Sequence, residues 1–175
     1  MITSKIKHTV TSIYRLKSLI RFNTSSRLKD ESVAEHSFFV AIYSLLIATE
    51  VSKFSTISIE KVLTMALIHD VPEINLSDIP HDVKKRLNVY DILERLELES
   101  FSSTKFRDIF KELSEKKSLE SQIVHYADIL SVKVYTLSEI SLGNTTLKKI
   151  DLETDARLDK FTRLNLILKK AKFKL

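Results

Sequence analysis

Residues 119–142 read LESQIVHYADILSVKVYTLSEISL, and this stretch decides the fold class. Its apolar residues recur at intervals of three and four, the spacing that places side chains on one face of a helix. Gly143 follows this pattern directly and is predicted to stop the helix in the left-handed conformation. We therefore expect one long helix over 119–142. Its apolar positions are Leu119, Ile123, Ala127, Leu130, Val134 and Leu137.

The composition of the whole chain also favours helices. Only one Gly and two Pro occur in 175 residues, which leaves little material for tight turns and β-hairpins. With 43% hydrophobic and 29% charged residues, the chain has enough apolar side chains to form one core. We predict a single all-α domain over 1–175, built as a bundle of six to eight helices.

Capping patterns and a proline set further helix boundaries. Ser32 and Glu35 form a capping-box pattern that opens a helix. Ser58 is the predicted N-cap of the next helix, which should end close to Asp70 because Pro72 disfavours helical geometry at the residue before it. The segment 71–80 is predicted to be irregular. The helices predicted besides 119–142 are 3–20, 33–51, 59–70, 81–88, 90–101, 104–116 and 152–172.

Cysteine usage and charge restrict the class of protein. The chain has no Cys, which excludes disulfides and thiolate zinc sites and leaves His, Asp and Glu as the strong metal ligands. The formal charge of +5 is compatible with nucleic acid and equally with a small anionic substrate. Acidic residues interrupt the basic ones, so no stable nucleic-acid partner is expected.

No membrane segment or export signal is expected. The most apolar run, Phe38 to Ala48, is interrupted by Tyr43 and Ser44 and is too short to span a bilayer. The N-terminus has no apolar signal core behind its charges. We therefore expect a cytoplasmic protein.

Three short stretches carry residues suited to a metal. The adjacent pair His69 and Asp70 offers an imidazole and a carboxylate, but such a dipeptide is common by chance. His36 falls in the first turn of a predicted helix, and Asp128 is flanked by apolar residues, where a carboxylate needs a cation or hydrogen-bond donors. Alternatively, Asp128 faces solvent, His36 is an ordinary first-turn histidine, and Glu35 is only a capping partner.

Four ordered blocks contain these residues, namely Glu31-Ser32-Val33-Ala34-Glu35-His36-Ser37, Ile68-His69-Asp70-Val71-Pro72-Glu73, Ser77-Asp78-Ile79-Pro80 and Tyr126-Ala127-Asp128-Ile129-Leu130. The blocks resemble the H…HD…D pattern of the HD superfamily of metal-dependent phosphohydrolases. They are similar, more narrowly, to its bacterial 5'-deoxynucleotidase branch and to related small phage enzymes that hydrolyse dATP. The likeness runs from Arg21 to about Asn144 and includes Leu142-Gly143-Asn144.

The resemblance implies an HD-domain fold and one divalent transition metal, namely zinc, cobalt or manganese. Its ligands would be His36, His69, Asp70 and Asp128. Four protein ligands leave coordination positions for water and a phosphate oxygen, as a hydrolytic site requires.

The resemblance also implies two catalytic carboxylates. Glu73 would orient the attacking water as the base, and Asp78 would lie near the sugar and the leaving oxygen as an acid or sugar-binding group. Without the resemblance, Glu73 would be interpreted as a solvated loop carboxylate and Asp78 as a helix cap before Pro80.

Three further residues are assigned to the substrate. Arg21 matches a phosphate-binding arginine, since a guanidinium suits phosphate bidentately, but a cation is also ordinary at a helix C-terminus. Phe22 stands where the family has Trp against the sugar; it offers an apolar wall or is simply a core aromatic. Lys84 matches a lysine that reaches phosphate, although the run Lys84-Lys85-Arg86 also suits a solvated helix face.

The leading interpretation is hydrolysis of deoxyribonucleoside 5'-monophosphates. The alternative is a deoxynucleoside triphosphohydrolase of the dATP type, and a third is a helical module that binds nucleotide or RNA without catalysis. The resemblance further suggests a homo-oligomer. The C-terminal apolar stripe Leu158, Phe161, Leu164 and Leu168 could pack within the subunit or against another.

Overall fold

The structure is a computed structural model that describes residues 11–77 and 103–173. Over these two ranges the chain forms an α-helical stretch at 11–13, seven further α-helices, two short 3₁₀ segments and no strand beyond one isolated bridge between Ile20 and Ser32. The all-α prediction is therefore confirmed. The helices are α1 (Val33–Val51), α2 (Ile59–Ile68), α3 (Glu73–Leu76), α4 (Thr104–Glu115), α5 (Leu119–Ser141), α6 (Lys148–Leu158) and α7 (Thr162–Lys170).

The predicted starts of α1 and α2 are confirmed. Ser32 Oγ accepts a hydrogen bond from the Glu35 amide at 3.2 Å, and Glu35 Oε2 accepts one from the Ser32 amide at 2.8 Å, so the capping box is complete. Ser58 Oγ accepts from the Lys61 amide at 3.2 Å. These caps satisfy amides that a helix start leaves without partners, and they fix where each helix begins.

The two long helices α1 and α5 pack against each other, and α2 packs on both. Fully buried apolar side chains from each of them form the main core, including Val40, Met65 and Ile123. At the far end of α5, Gly143 has a φ of +101°, which confirms the predicted left-handed stop.

The C-terminal helix prediction over 152–172 was wrong, because two helices, α6 and α7, occupy the region. The chain turns at Phe161, whose ring packs edge-on against Tyr126 with centroids 5.6 Å apart. Asn165 Nδ2 donates to the Leu158 carbonyl at 3.0 Å and covers the end of α6. Leu158, Phe161, Leu164 and Leu168 all contribute to the main core, so the apolar stripe packs within the subunit.

Two other boundaries differ from the prediction. Of the predicted helix 3–20, the described part is helical over 11–18, as α-helix at 11–13 and as a 3₁₀ segment over Tyr14–Ser18, and the chain is extended at Leu19, because Ile20 pairs with Ser32 instead. The segment 71–80 was expected to be irregular, yet Glu73–Leu76 forms one helical turn. The predicted helices 81–88 and 90–101 lie outside the described residues, and a single domain over 1–175 stays a prediction.

Helix α1 is longer than the apolar run in the sequence indicated. Within the described ranges it is the one helix that is long and apolar enough to cross a membrane by length and composition, with a mean hydropathy of 1.2. Its inner face, with Val40 and Ile47, is buried in the main core of the bundle. A core helix of a soluble protein meets the same criterion, so this feature is weak evidence for a membrane.

Candidate metal centre

Three helices bring four side chains together that are far apart in the sequence. His36 lies in the first turn of α1, His69 and Asp70 directly follow α2, and Asp128 lies in the middle of α5. His36 Nε2 is 3.2 Å from Asp128 Oδ1 and 3.6 Å from Asp70 Oδ2. His69 Nε2 is 3.2 Å from Asp70 Oδ2 and 3.4 Å from His36 Nε2. The four predicted ligands therefore form one cluster.

The imidazole of His69 is held by its other nitrogen. His69 Nδ1–H donates to the carbonyl of Ala66 at 2.7 Å, one turn earlier in α2. This bond keeps a proton on Nδ1 and turns Nε2 toward His36 and Asp70. A backbone acceptor of this kind is a common support for a metal-binding histidine.

The imidazole of His36 is almost completely buried, with 1% of its side chain exposed. Its Nδ1 lies 2.5 Å from Arg21 Nη1 and 3.2 Å from Ser131 Oγ. Because a guanidinium only donates, Nδ1 accepts from Arg21, and the ring proton is on Nε2, facing Asp128. Ser131 comes one helical turn after Asp128 on α5, so the same helix face supplies both contacts.

The environment shifts the pKa values of the cluster in opposite directions. Burial and the neighbouring Arg21 guanidinium lower the pKa of His36 to about 4. Burial also opposes the charged form of His69, but the carboxylates of Asp70 and Asp128 outweigh it and raise the pKa of His69 to about 9. At neutral pH one imidazole is therefore neutral and the other is charged.

The carboxylates of Asp70 and Asp128 stay ionised although only 17% and 27% of their side chains are exposed. Burial alone would raise the pKa of Asp70, but His69 beside it lowers that pKa to about 2. The imidazoles of His36 and His69 hold the pKa of Asp128 well below its usual range. The cluster thus presents two carboxylates and two imidazole nitrogens to one small space.

Arg21 and Phe22 lie beside this cluster. The Arg21 guanidinium forms an ion pair with Glu31, with Nη1 and Oε2 3.1 Å apart, and 14% of its side chain is exposed. The Phe22 ring stacks on Tyr135 with centroids 4.7 Å apart and an angle of 9° between the rings. The Arg21 guanidinium also lies over the Phe22 ring, 5.5 Å from its centroid. Arg21 therefore connects the cluster to an aromatic surface.

The other predicted residues are placed differently. Glu73 is the half-buried first residue of α3, and its amide donates to the Asp70 carbonyl at 3.0 Å, so it directly follows the cluster along the backbone. Asp78 and Lys84 lie outside the described residues. Their predicted roles stay predictions.

Sequence reasoning assigned no site role to Glu31 or Ser131. Glu31 is bonded to Arg21, and burial raises the pKa of its carboxyl even though Arg21 opposes the shift. The signal for Ser131 was its spacing of three residues from Asp128, which shares a helix face. The pairing of Glu31 with Arg21 had no local signal, because it joins two ends of a ten-residue loop.

Comparisons with known proteins identify relatives of this chain. A curated relative, 5'-deoxynucleotidase YfbR of Salmonella arizonae, is 30% identical over 156 residues, covering 82% of this chain and 78% of the relative. A solved protein from Pyrococcus horikoshii OT3 has a TM-score of 0.78 and 28% identity, over 92% of this chain and 97% of that one.

An HD-domain phosphohydrolase from Listeria innocua also has a TM-score of 0.78. It is 21% identical and covers 96% of this chain and 86% of its own, so the likeness shows the shared fold. The model of the family described as 5'-deoxynucleotidase YfbR-like matches residues 8–169. The chain therefore belongs to the YfbR-like 5'-deoxynucleotidase family.

Proposed function

We propose that this chain is a metal-dependent phosphohydrolase that converts deoxyribonucleoside 5'-monophosphates into deoxynucleoside and phosphate. The observation that carries the proposal is that His36, His69 and Asp128 place ligand atoms within 4.8 Å of one another, with Asp70 Oδ2 3.2 Å from His69 Nε2. Because the four side chains are only 1% to 27% exposed, desolvation offsets much of their attraction, and the cluster has little value as a structural ion pair. Family membership supports the choice of deoxynucleotides as substrates.

The geometry of the cluster suits one divalent cation. Two imidazole nitrogens bound at 2.0–2.1 Å with a tetrahedral angle lie about 3.3 Å apart, and His36 Nε2 and His69 Nε2 are separated by 3.4 Å. The N and O donors suit zinc, cobalt or manganese. Ligation through His36 Nε2 requires the ring proton to move to Nδ1, where Ser131 Oγ is available as its acceptor.

The move of the His36 ring proton to Nδ1 also gives Arg21 a role. Once His36 Nδ1 carries a proton, it no longer accepts from the guanidinium, so the Arg21 donors become available to Glu31 and to a phosphoryl oxygen. A divalent cation bound by the four ligands would supply charge stabilisation of the phosphoryl oxygens and a water of lowered pKa.

The remaining roles belong to side chains around the cluster. Glu73 orients the attacking water and takes its proton, and Asp78 protonates the leaving oxygen or binds the sugar. Phe22 forms an apolar wall against the deoxyribose, where a 2'-hydroxyl would lose its hydrogen bonds. Lys84 binds phosphate.

A panel of deoxy- and ribonucleotides assayed with zinc, cobalt, manganese and magnesium tests the proposal. We expect inorganic phosphate and deoxyadenosine from dAMP, with slower turnover of AMP and none of dATP. Release of triphosphate from dATP, with dAMP untouched, would select the triphosphohydrolase alternative. Binding of nucleotide or RNA without turnover in any metal would select the non-catalytic module.

We also propose a cytoplasmic location and a homo-oligomer without a stable nucleic-acid partner. The outward face of α1 supports self-association, because Phe38, Phe39, Ile42 and Leu46 are between 40% and 60% exposed on that one face. A two-fold axis would pack this face against its own copy. Light scattering of the purified protein should give a dimer or larger, and Ile42→Glu should give a monomer.

A further inference from the structure

We propose that Glu139 is a positioning residue that holds the loop 22–31 on α5 and thereby places Arg21 and Phe22 for the nucleotide; the inference rests on the proposed function. Glu139 lies far along α5 from Asp128 and was not singled out by the sequence. Its side chain is completely buried. A buried carboxylate needs a full set of donors, and most of those around Glu139 come from the loop.

The carboxylate of Glu139 accepts hydrogen bonds at both oxygens. Oε2 accepts from the Leu28 amide at 2.7 Å, and Oε1 accepts from the Lys29 amide at 2.8 Å. Asn144 Nδ2 donates to Oε2 at 2.8 Å and also to the Ser26 carbonyl at 2.9 Å. These bonds to the charged form keep the pKa of Glu139 below its usual value although burial opposes ionisation.

Tyr135, one turn before Glu139 on α5, contacts the same loop. Its hydroxyl donates to the Lys29 carbonyl at 2.7 Å, and its ring stacks on Phe22. Tyr135 and Glu139 are four residues apart and therefore share one helix face. This face contacts the loop from Phe22 to Lys29. The two helix side chains that make these contacts, Tyr135 and Glu139, are both buried.

Phe22 needs this support because its backbone is strained. Its φ is +54°, a conformation that residues other than glycine adopt rarely and that persists only when surrounding contacts hold it. The Phe22 carbonyl accepts from the Ser25 amide at 2.9 Å and from Arg27 Nη1 at 3.3 Å. A loosened loop would let Phe22 relax and would withdraw its ring from Tyr135.

The two ends of the loop are hydrogen-bonded to each other beside the metal centre. The Arg21 amide donates to the Glu31 carbonyl at 2.9 Å, and the Val33 amide donates to the Leu19 carbonyl at 2.8 Å. The same two residues, Arg21 and Glu31, form the side-chain ion pair beside His36. Holding Leu28 and Lys29 on α5 therefore also fixes where the Arg21 guanidinium lies.

Glu139→Gln tests the inference. The variant keeps the shape but turns one acceptor into a donor, so one loop amide faces another N–H in either orientation. We expect hydrogen exchange at the Arg21 and Ser25 amides, which do not contact Glu139, to be about tenfold faster. We also expect roughly a tenfold higher KM for dAMP with kcat and metal content nearly unchanged, and weaker discrimination against AMP.

Glu120→Gln is the matched control. Glu120 is also on α5 and also accepts from a backbone amide, that of Ser58 at 3.2 Å, but it anchors α2 rather than the loop. This variant should leave the exchange at Arg21 and Ser25 and the KM for dAMP unchanged. Equal effects in both variants would mean general loosening of α5 and would overturn the inference.

Tyr135→Phe gives a milder second probe should Glu139→Gln not fold. It removes the bond to the Lys29 carbonyl, retains the stacked ring, and should accelerate exchange at Arg21 and Ser25 by about threefold. Unchanged exchange at both amides in the folded variants overturns the inference. A wild type without activity on any nucleotide would refute the proposed function alone, because exchange would still decide the positioning role.

Discussion

Among the residues that the structure describes, two charged clusters connect α2 to α5, and they differ in the group that carries the positive charge. In one, Lys61 Nζ lies 2.8 Å from Glu112 Oε1 and 3.2 Å from Glu120 Oε1. About a third of the Lys61 and Glu112 side chains is exposed. The other is the cluster of His36, His69, Asp70 and Asp128, whose side chains are 1%, 9%, 17% and 27% exposed and in which the positive charge is a proton on an imidazole.

The difference shows what distinguishes a metal centre from a structural ion pair. The Lys61 ammonium is a permanent cation without a lone pair, so it balances its carboxylates and offers no ligand. A proton on an imidazole can leave, and the nitrogen that it leaves behind binds a metal. Two carboxylates beside two such nitrogens therefore favour the proposed site for an exogenous cation.

The largest expected effect comes from Asp128→Asn. The variant removes one negative charge and one strong oxygen ligand, so we expect metal affinity to fall by more than about a hundredfold and turnover to become undetectable. Metal content after dialysis and phosphate release from dAMP are the measurements. Retention of tightly bound metal would contradict the assignment of Asp128 as a ligand.

Asp151→Asn provides the matched control for that experiment. Asp151 is also a largely buried carboxylate, with 14% of its side chain exposed, and it contacts Lys133 Nζ at 3.0 Å. It belongs to α6 and a permanent cation neutralises it. This variant should change stability alone and leave metal content and turnover as in the wild type.

Glu73→Gln should have the next largest effect and separate catalysis from metal binding. A glutamine cannot take a proton from water, so we expect kcat to fall by roughly 10²–10⁴ while metal content stays unchanged. The exposed Glu153 on α6 offers a control, since Glu153→Gln should leave kcat unaltered. Loss of metal in Glu73→Gln would instead identify Glu73 as a ligand.

The fold was predictable where local signals mark the helix ends. α1, α4 and α5 match the predicted helices 33–51, 104–116 and 119–142, and Ser32 and Gly143 are the local signals at the start of α1 and the end of α5. The break between α6 and α7 has no Gly or Pro. It depends on Phe161 packing against Tyr126, a contact between residues that are distant in the sequence.

Some residues of the candidate site were also predictable from the sequence, and others were not. The four clustered residues were found because they lie in short blocks whose order resembles a known family. The partners that orient them were not found, because His69 uses a backbone carbonyl and Arg21 uses Glu31 across a loop. Backbone acceptors and loop-spanning ion pairs leave no pattern in a single sequence.

The pH dependence of metal binding should show that the two clusters differ in the kind of charge they hold. Because the pKa of His69 is raised to about 9, a proton occupies Nε2, the nitrogen proposed to bind the metal, below that pH. Metal affinity should therefore rise by about tenfold per pH unit from pH 6.5 to 9, with one proton released per metal, and then level off. Titration calorimetry in buffers of different ionisation enthalpy measures both quantities.

Protonation of His69 weakens metal binding, but it stabilises the metal-free protein. The stability contributed by charged His69 beside Asp70 is fully present below the ordinary pKa of 6.5 and is lost as the pH rises through about 9. Urea unfolding of the metal-free protein should therefore give a lower free energy of unfolding at pH 9 than at pH 6.5. A metal affinity independent of pH over this range would mean that His69 binds no metal.

The smallest effect is expected from Lys61→Met, which removes the permanent cation of the other cluster. Because Lys61 is about one third exposed, solvent screens its ion pairs, and the free energy of unfolding should fall by no more than about 1 kcal/mol. The metal affinity and its slope with pH should be those of the wild type, since an ammonium supplies no ligand. A change in either would show that the two clusters are coupled through α2, and the contrast between them would then fail.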